Sequence, residues 1–389
     1  MKVAFLLATY PKLSETFIRD QVQRLSEKLE VRVYAFSFEE EPVVMNSVRY
    51  IPGQRRRLIL RYWMQLLRLR NVAREQGLRL SSISKELRRA MALKRAGGLA
   101  ELERSDIVVA HYGTIGLVAA IANIMFDASI NFVTFVHGYD VSKTPLQRGF
   151  GIYRMMFQEA RSIIAVSEYW KTELIRLGCP RDKVQVHHLG TEIPVELPEF
   201  DAECMQIVSV GRLVEKKGTE YLLRALPSVF KRFPDASVVI VGNGPLRPQL
   251  EELCHTLGIS ESVTFSGAVS HNGVRQAIQS SRLFVLPSVT SDSGDKEGIP
   301  VSIMEAMALG VPVVSTRHSG IPEIVSTESK GTLVPERDVD RLSEAIVQGL
   351  SDSEWSQSVR QEAYTYVASE FNLEKQSNRL ITLLRNMAN

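Results

Sequence analysis

Gln206-Ile-Val-Ser-Val-Gly-Arg-Leu-Val-Glu-Lys-Lys-Gly218 passes from an apolar run to a glycine, then to Arg212 and Lys217, five residues apart. A short apolar run closed by turn residues reads as a parallel strand buried on both faces. The same rhythm recurs at Val3–Ala8, Val31–Phe36, Ile107–His111, Phe132–His137 and Ser162–Val166, and again at Ser237–Val241, Val263–Ser266, Leu283–Pro287 and Val311–Ser315. Helical patterns fill the intervals. Two successive βα-alternating halves predict an α/β protein of twin Rossmann-like domains facing across a cleft. Ligands of such sheets sit off the C-terminal ends of the strands. At the midpoint, Pro194-Val-Glu-Leu-Pro-Glu-Phe200 breaks the rhythm and reads as a linker. It divides an N-terminal domain, 1–197, from a C-terminal one, 198–365, and leaves a helical tail, 366–389.

Composition agrees with that reading. A chain of 389 residues is long for one domain. At 44% hydrophobic and 23% charged it is an ordinary globular sequence. No apolar run approaches the ~20 residues of a membrane span. The first of them, Val3–Ala8, is too short for a signal peptide and meets Thr-Tyr-Pro-Lys at once. Cys179, Cys204 and Cys254 show no metal or redox spacing, and a reducing cytoplasmic setting is expected.

The net charge of +3 conceals a basic segment, with fourteen Lys and Arg against four Asp and Glu between 51 and 104. Arg55, Arg56, Arg57, Arg61, Tyr62, Trp63, Arg68 and Arg70 alternate with leucines, and Lys85, Arg88, Arg89, Lys94 and Arg95 follow. Basic amphipathic helices with interfacial aromatics suit an anionic membrane surface. A solvated helix face packing its leucines on the sheet, or a nucleic-acid patch, is open on the same residues. The membrane surface is carried forward as the expected partner, and nucleic acid is not.

The motifs of chemical interest lie at strand ends of the second half. Arg212 and Lys217, beside Gly211 and a helix N-terminus, can hold a diphosphate and the charge it gains on leaving. Gly242-Asn-Gly244-Pro245 is open between a tight turn and a phosphate-side contact, because Arg247 stands where a dinucleotide motif has its third glycine. Phe265-Ser-Gly267-Ala-Val269 can offer backbone groups to a nucleobase. Ser291-Asp-Ser-Gly-Asp-Lys296 reads as a mobile polar loop.

Glu297-Gly-Ile-Pro-Val-Ser-Ile-Met-Glu305 follows, a loop carboxylate, a helix expected to open at Pro300, and a second carboxylate one turn inside. Glu305 would lie roughly 7–8 Å along that helix. The early amides form a seat for an anion. Hydroxyls at both ends and a diphosphate between them describe a nucleotide-sugar. Two glutamates eight apart also arise by chance, so context carries the reading.

Gly-Arg-Leu-x-x-x-Lys-Gly, Gly-x-Gly-Pro and Glu-x₇-Glu occur in this order, with Pro287-Ser288 before the last and Ala-Leu-Gly-Val-Pro-Val-Val after it. Together they resemble retaining glycosyltransferase family 4, of the GT-B fold. Tyr10-Pro-Lys-Leu-Ser-Glu-Thr-Phe-Ile18 looks like its exopolysaccharide branch, similar to colanic-acid and amylovoran glycosyltransferases. The resemblance implies a C-terminal helix crossing back to the first domain. It also implies a nucleotide-diphosphate sugar as donor and a lipid-linked oligosaccharide as acceptor. Arg212 and Lys217 would bind the donor diphosphate, Glu305 the ribose, and Glu297 the transferred sugar. Gly211, Gly242, Gly244, Val269, Ile299 and Val301 would line the donor. His137, of Val-His-Gly-Tyr-Asp140, would stand near the reacting sugar, and His111, Asp140 and Ser14 on the acceptor side. In place of the family's Gly-Gly first loop stands Thr9–Thr16, where Ser14 could cap a helix.

Asp338-Val-Asp340 could hold a divalent cation, but it precedes a helical stretch and reads as a cap. Transfer without metal or other cofactor is therefore expected. Glu297 and Glu305 read as hydroxyl ligands, too far apart along the ligand to be the acid/base couple of a glycosidase. No protein nucleophile is evident, and retention is implied by the resemblance. A nucleotide-sugar epimerase on the same architecture and a non-catalytic nucleotide-sugar-binding partner are the alternatives.

Overall fold

Every pairing between named strands is parallel, as expected of runs buried on both faces. The computed structural model describes residues 1–12, 15–39, 48–51, 63–199, 201 and 203–388. These form two compact units, Met1–His188 with Ser377–Asn389, and Leu189–Gln376.

The first unit holds β1 (Lys2–Leu7), β2 (Glu30–Ala35), β3 (Val48–Tyr50), β4 (Ile107–His111), β5 (Phe132–Val136), β6 (Ser162–Ala165) and β7 (Val184–Val186), in the order β3-β2-β1-β4-β5-β6-β7. No residue of β4, β5 or β6 is exposed. The helix Gly113–Phe126 is apolar almost all round, is buried over most of its length, and packs beside β4 and β5. The last helix, Leu373–Ala388, contributes its C-terminal part to this unit. Lys28 Nζ donates to Asn378 Oδ1 at 2.7 Å, and Asn131 Nδ2 to the Met387 carbonyl at 3.3 Å.

The second unit holds β8 (Gln206–Val210), β9 (Ser237–Val241), β10 (Val263–Gly267), β11 (Leu283–Leu286), β12 (Val313–Thr316) and β13 (Thr332–Val334), ordered β10-β9-β8-β11-β12-β13. Its core joins Ile207, Val238, Ile240, Leu283 and Val285 of the sheet to Leu222, Leu226 and Val229 of the helix Thr219–Arg232. Segment 190–198 runs along this unit's last helices. Thr191 bridges Asn372, Tyr364 Oη donates to the Pro194 carbonyl at 2.8 Å, and Arg360 to that of Pro198 at 2.5 Å.

The ten expected strands are all present within a residue or two. The three unanticipated ones, β3, β7 and β13, are three residues long and lie at sheet edges. Three residues cannot establish a period, and an edge asks for less burial. Among the described residues no helix is long and apolar enough to cross a membrane.

Candidate active site

In the second unit the site is built from the ends of β8 and β11, neighbours in the sheet. β8 delivers Gly211, whose amide still bonds the Val241 carbonyl at 3.0 Å. The chain then turns through 215–217 and enters the next helix at Gly218. Gly218 has φ +66°, and a Cβ there would lie 1.8 Å from the Pro287 carbonyl oxygen. Only glycine allows the turn carrying Lys216 and Lys217 to touch the end of β11. The second turn is as close, since a Cβ on Gly242 (φ +136°) would stand 2.0 Å from the Gly211 carbonyl oxygen. Leu213 N–H also donates to the Asn243 carbonyl at 3.0 Å. Packing of turn on turn thus accounts for Gly242. Gly244 likewise abuts Leu213.

Lys217 lies across Gly211 and places Nζ 3.2 Å from Glu297 Oε2. Lys216, not singled out in the sequence, places its own Nζ 3.6 Å from Glu297 Oε1 and 3.1 Å from Asp295 Oδ1. Burial raises the Glu297 carboxyl, but Lys217 and Lys216 outweigh it and bring the group down to about 2. It is ionised at any physiological pH. Burial lowers the Lys216 ammonium, and Glu297 with Asp295 more than restores it. Arg212 is exposed and makes no ion pair among the described residues.

The loop before Glu297 is laced rather than loose, contrary to what its polar composition suggested. Ser291 N–H donates to the Asp295 carbonyl at 3.0 Å, Asp292 N–H to Glu215 Oε1 at 2.6 Å, and Lys216 Nζ to the Lys296 carbonyl at 3.3 Å. Glu297 N–H in turn meets His318 Nε2 at 3.1 Å, and the Glu297 carbonyl accepts from Ser319 Oγ at 2.6 Å.

Pro300 caps the following helix instead of opening it. Its ψ of 124° is extended, its carbonyl accepts from Ile303 N–H at 3.0 Å, and the helix runs Val301–Ala308. The first amides, Val301 and Ser302, therefore lack an intrahelical acceptor. Ser302 Oγ donates to the Val210 carbonyl at 3.2 Å, tying this helix end to β8. Ile299 is buried. Glu305 is 6% exposed and lies 3.5 Å from His271 Nδ1, a partner not foreseen. Val269 is exposed. Asp338 accepts from Arg341 N–H at 3.0 Å as the cap of the helix Val339–Ser351.

The first unit carries a separate cluster at the ends of β4 and β5. His111 is fully buried, stacked on Phe5 and Phe135, and its Nδ1 lies 3.0 Å from His137 Nε2. One proton bridges the two rings, its owner set by tautomer. Burial pushes His137 down to about 3, and burial with the His137 neighbour pushes His111 well below its ordinary value, so both are neutral. Asp140 is fully buried. It accepts N–H bonds from Gly113 at 2.8 Å and from His137 and Gly138 at 3.0 Å each. Its carboxylate is thus committed to holding the two strand-end loops together. Tyr112, in an unusual backbone conformation at φ 75°, packs its ring 4.7 Å from that of His137. Burial and a hydrogen bond to Glu15 raise its phenol well above the ordinary range. Neither Tyr112 nor Glu15 was anticipated. Ser14 and residues 52–62 of the basic segment lie outside the described residues.

Two parallel sheets with polar clusters at the C-terminal ends of their strands define a doubly Rossmann-like, nucleotide-type architecture. Residues 14–193 match the model for Glycosyltransferase Family 4, and 198–366 that for Glycosyl transferases group 1. Over 412 aligned residues the chain is 30% identical to WcaL of Escherichia coli K12, a protein named for colanic acid biosynthesis, covering 99% of this chain and 100% of that one. It is 32% identical to the amylovoran biosynthesis glycosyltransferase AmsK of Erwinia amylovora, over 73% of this chain and 71% of that. In fold it is similar to Anabaena HepE, solved with UDP and glucose, at a TM-score of 0.77 and 17% identity, over 99% and 100% of the two chains. The chain belongs to glycosyltransferase family 4, the retaining hexosyltransferases of GT-B fold. It is a nucleotide-sugar-dependent glycosyltransferase.

Proposed function

We propose that the enzyme transfers a hexose, with retention, from a nucleoside diphosphate to a lipid-linked saccharide during exopolysaccharide assembly. The observation that carries the donor half is the Lys217–Glu297–Lys216 cluster at the ends of β8 and β11. In this reading Lys217 and Arg212 hold the diphosphate, with the amides of Ile299 and Val301 beside it. Gly211, Gly242 and Gly244 admit the phosphates closely, Glu305 binds the ribose, and the backbone near Val269 meets the base. Glu297, ionised, accepts from hydroxyls of the transferred sugar. His137, neutral, is assigned to the reacting sugar, with His111 hydrogen-bonded to its ring and Asp140 holding its loop.

The step consistent with these groups breaks the bond between the anomeric carbon and the diphosphate oxygen while the acceptor oxygen bonds the same face. The acceptor's proton passes to the departing phosphate oxygen. Lys217 and Arg212 stabilise the charge gained there. No protein nucleophile is needed.

The exopolysaccharide assignment is supported by the names of WcaL and AmsK. Membrane docking is supported by the start of the helix Trp63–Glu75. Trp63, Met64 and Leu67 are exposed there beside Arg68, Arg70 and Arg74. A thermal-shift screen over UDP-, GDP- and ADP-sugars identifies the donor by mass action. Sugar incorporation into a lipid-linked acceptor then tests the reaction. Release of a 2-epimer with water as sole acceptor would establish an epimerase instead. Binding without turnover on any lipid-linked acceptor would establish a silent partner.

A further inference from the structure

The imidazole of His318, fully buried, stands between two groups that together dictate its tautomer. Glu336 Oε1 lies 2.6 Å from Nδ1, and the Glu297 N–H lies 3.1 Å from Nε2. A carboxylate at Nδ1 requires a proton there, and an N–H at Nε2 requires a bare lone pair. Only the neutral Nδ1–H form satisfies both. Glu336 is itself held, accepting from Thr290 N–H at 2.7 Å, immediately after the Leu286–Val289 stretch that leaves β11. The next residue, Ser319, at φ 49°, donates its hydroxyl to the Glu297 carbonyl. Consecutive residues of the loop after β12 therefore grip both main-chain groups of Glu297.

We propose that His318 is a positioning residue for Glu297, its tautomer set by Glu336, fixing the backbone from which the Glu297 carboxylate meets the transferred sugar. This rests on reading Glu297 as the sugar's ligand. The lysines restrain the carboxylate end, whereas His318 and Ser319 restrain the peptide that carries it. A hydroxyl-binding carboxylate needs both, since an error of about 1 Å at the reacting centre is costly.

The charged groups around His318 are Glu336 and Glu297, which favour the imidazolium, and Lys296, which with burial opposes it. Burial prevails and lowers the ring's ionisation. Were the ring to protonate in acid, an N–H would face the Glu297 N–H and the grip on the peptide would fail.

The test has two arms. Spectra of ¹⁵N-histidine-labelled protein, with His318 assigned among the seven histidines by its loss in His318→Gln, report the tautomer directly. The Nδ1–H form at neutral pH is expected, and an Nε2–H form or an imidazolium there overturns the proposal. The second arm compares a nucleotide-sugar with its own nucleoside diphosphate, using whichever of UDP-glucose, GDP-mannose and ADP-glucose most stabilises the wild type. His318→Leu should lose about tenfold of the affinity the sugar adds, with nucleoside diphosphate binding unchanged. His318→Gln keeps an acceptor near the Nε2 position and should lose less than about threefold. If His318→Leu retains the sugar's contribution while Glu297→Gln loses it, the positioning role is wrong. If Glu297→Gln also retains it, the reading of Glu297 falls, and the functional half of the proposal with it. The spectra still decide the tautomer.

Discussion

Lys217 Nζ stands 3.2 Å from Glu297 Oε2, the two side chains reaching one another from the ends of adjacent strands. In the proposed reading one binds the donor's phosphate and the other its sugar, so the pair would span the bond to be broken. Lys217→Met and Glu297→Gln should each lower kcat/KM by about 100-fold or more, ~2.7 kcal/mol at the transition state. Because the side chains touch, the double variant should lose less than the sum. Near-wild-type turnover in either single variant would remove the site assignment.

Acid stability should carry the signature of the same cluster. The folded Glu297 carboxyl lies at about 2 against an ordinary 4.5. A depressed value stabilises the fold above the ordinary pKa, and that contribution drains away as pH falls from about 5 toward 2. Melting temperatures of wild type and Glu297→Gln should differ near neutrality and converge over that window. A gap that does not change with pH would contradict the pairing.

Asp140→Asn should destabilise the first domain. An amide cannot accept at its nitrogen, so at least one of the N–H groups of Gly113, His137 and Gly138 loses its partner inside the protein. The expected cost is about 1–3 kcal/mol, read from the denaturant midpoint. Turnover should fall as well, because the loop carrying His137 loses its anchor. An unchanged midpoint would show that the carboxylate is dispensable.

Vesicles containing anionic lipid should bind the protein at low salt and release it as ionic strength rises, since surface attraction fades over ~10 Å at 0.1 M. Trp63→Ala with Leu67→Ala should weaken sedimentation with such vesicles. Binding that ignores salt would leave electrostatic docking without support.

The sequence revealed the fold through its buried runs, and it singled out Lys217 and Glu297, which the structure brings together; the donor roles of Arg212 and Glu305 stay a proposal. What it concealed has a common physical origin. His318 and Glu336 follow β12 and β13, while Glu297 follows β11, so their convergence is a product of strand order. A single histidine after a strand has no periodicity to betray it. Lys216 was visible as half of a Lys-Lys pair, yet both lysines reach Glu297 only because the turn before Gly218 is tight. Pro300 misled by one residue. Proline suits a first helical position, but here its extended ψ makes it the cap. Asp140 was read as an acceptor-side group and not as architecture, because the Gly113, His137 and Gly138 amides it holds come from two loops that β4 and β5 bring side by side.

For the proposed donor site, the contact between Gly218 and the Pro287 carbonyl governs how that site could be re-engineered. Segments 211–218 and 286–297 fit each other at van der Waals contact and cannot be exchanged one at a time. A chimera that swaps only the lysine turn, or only the glutamate loop, inherits a mismatch between backbones before any ligand is met. Transplanting both, with the His318–Glu336 pair, moves a single mechanical part.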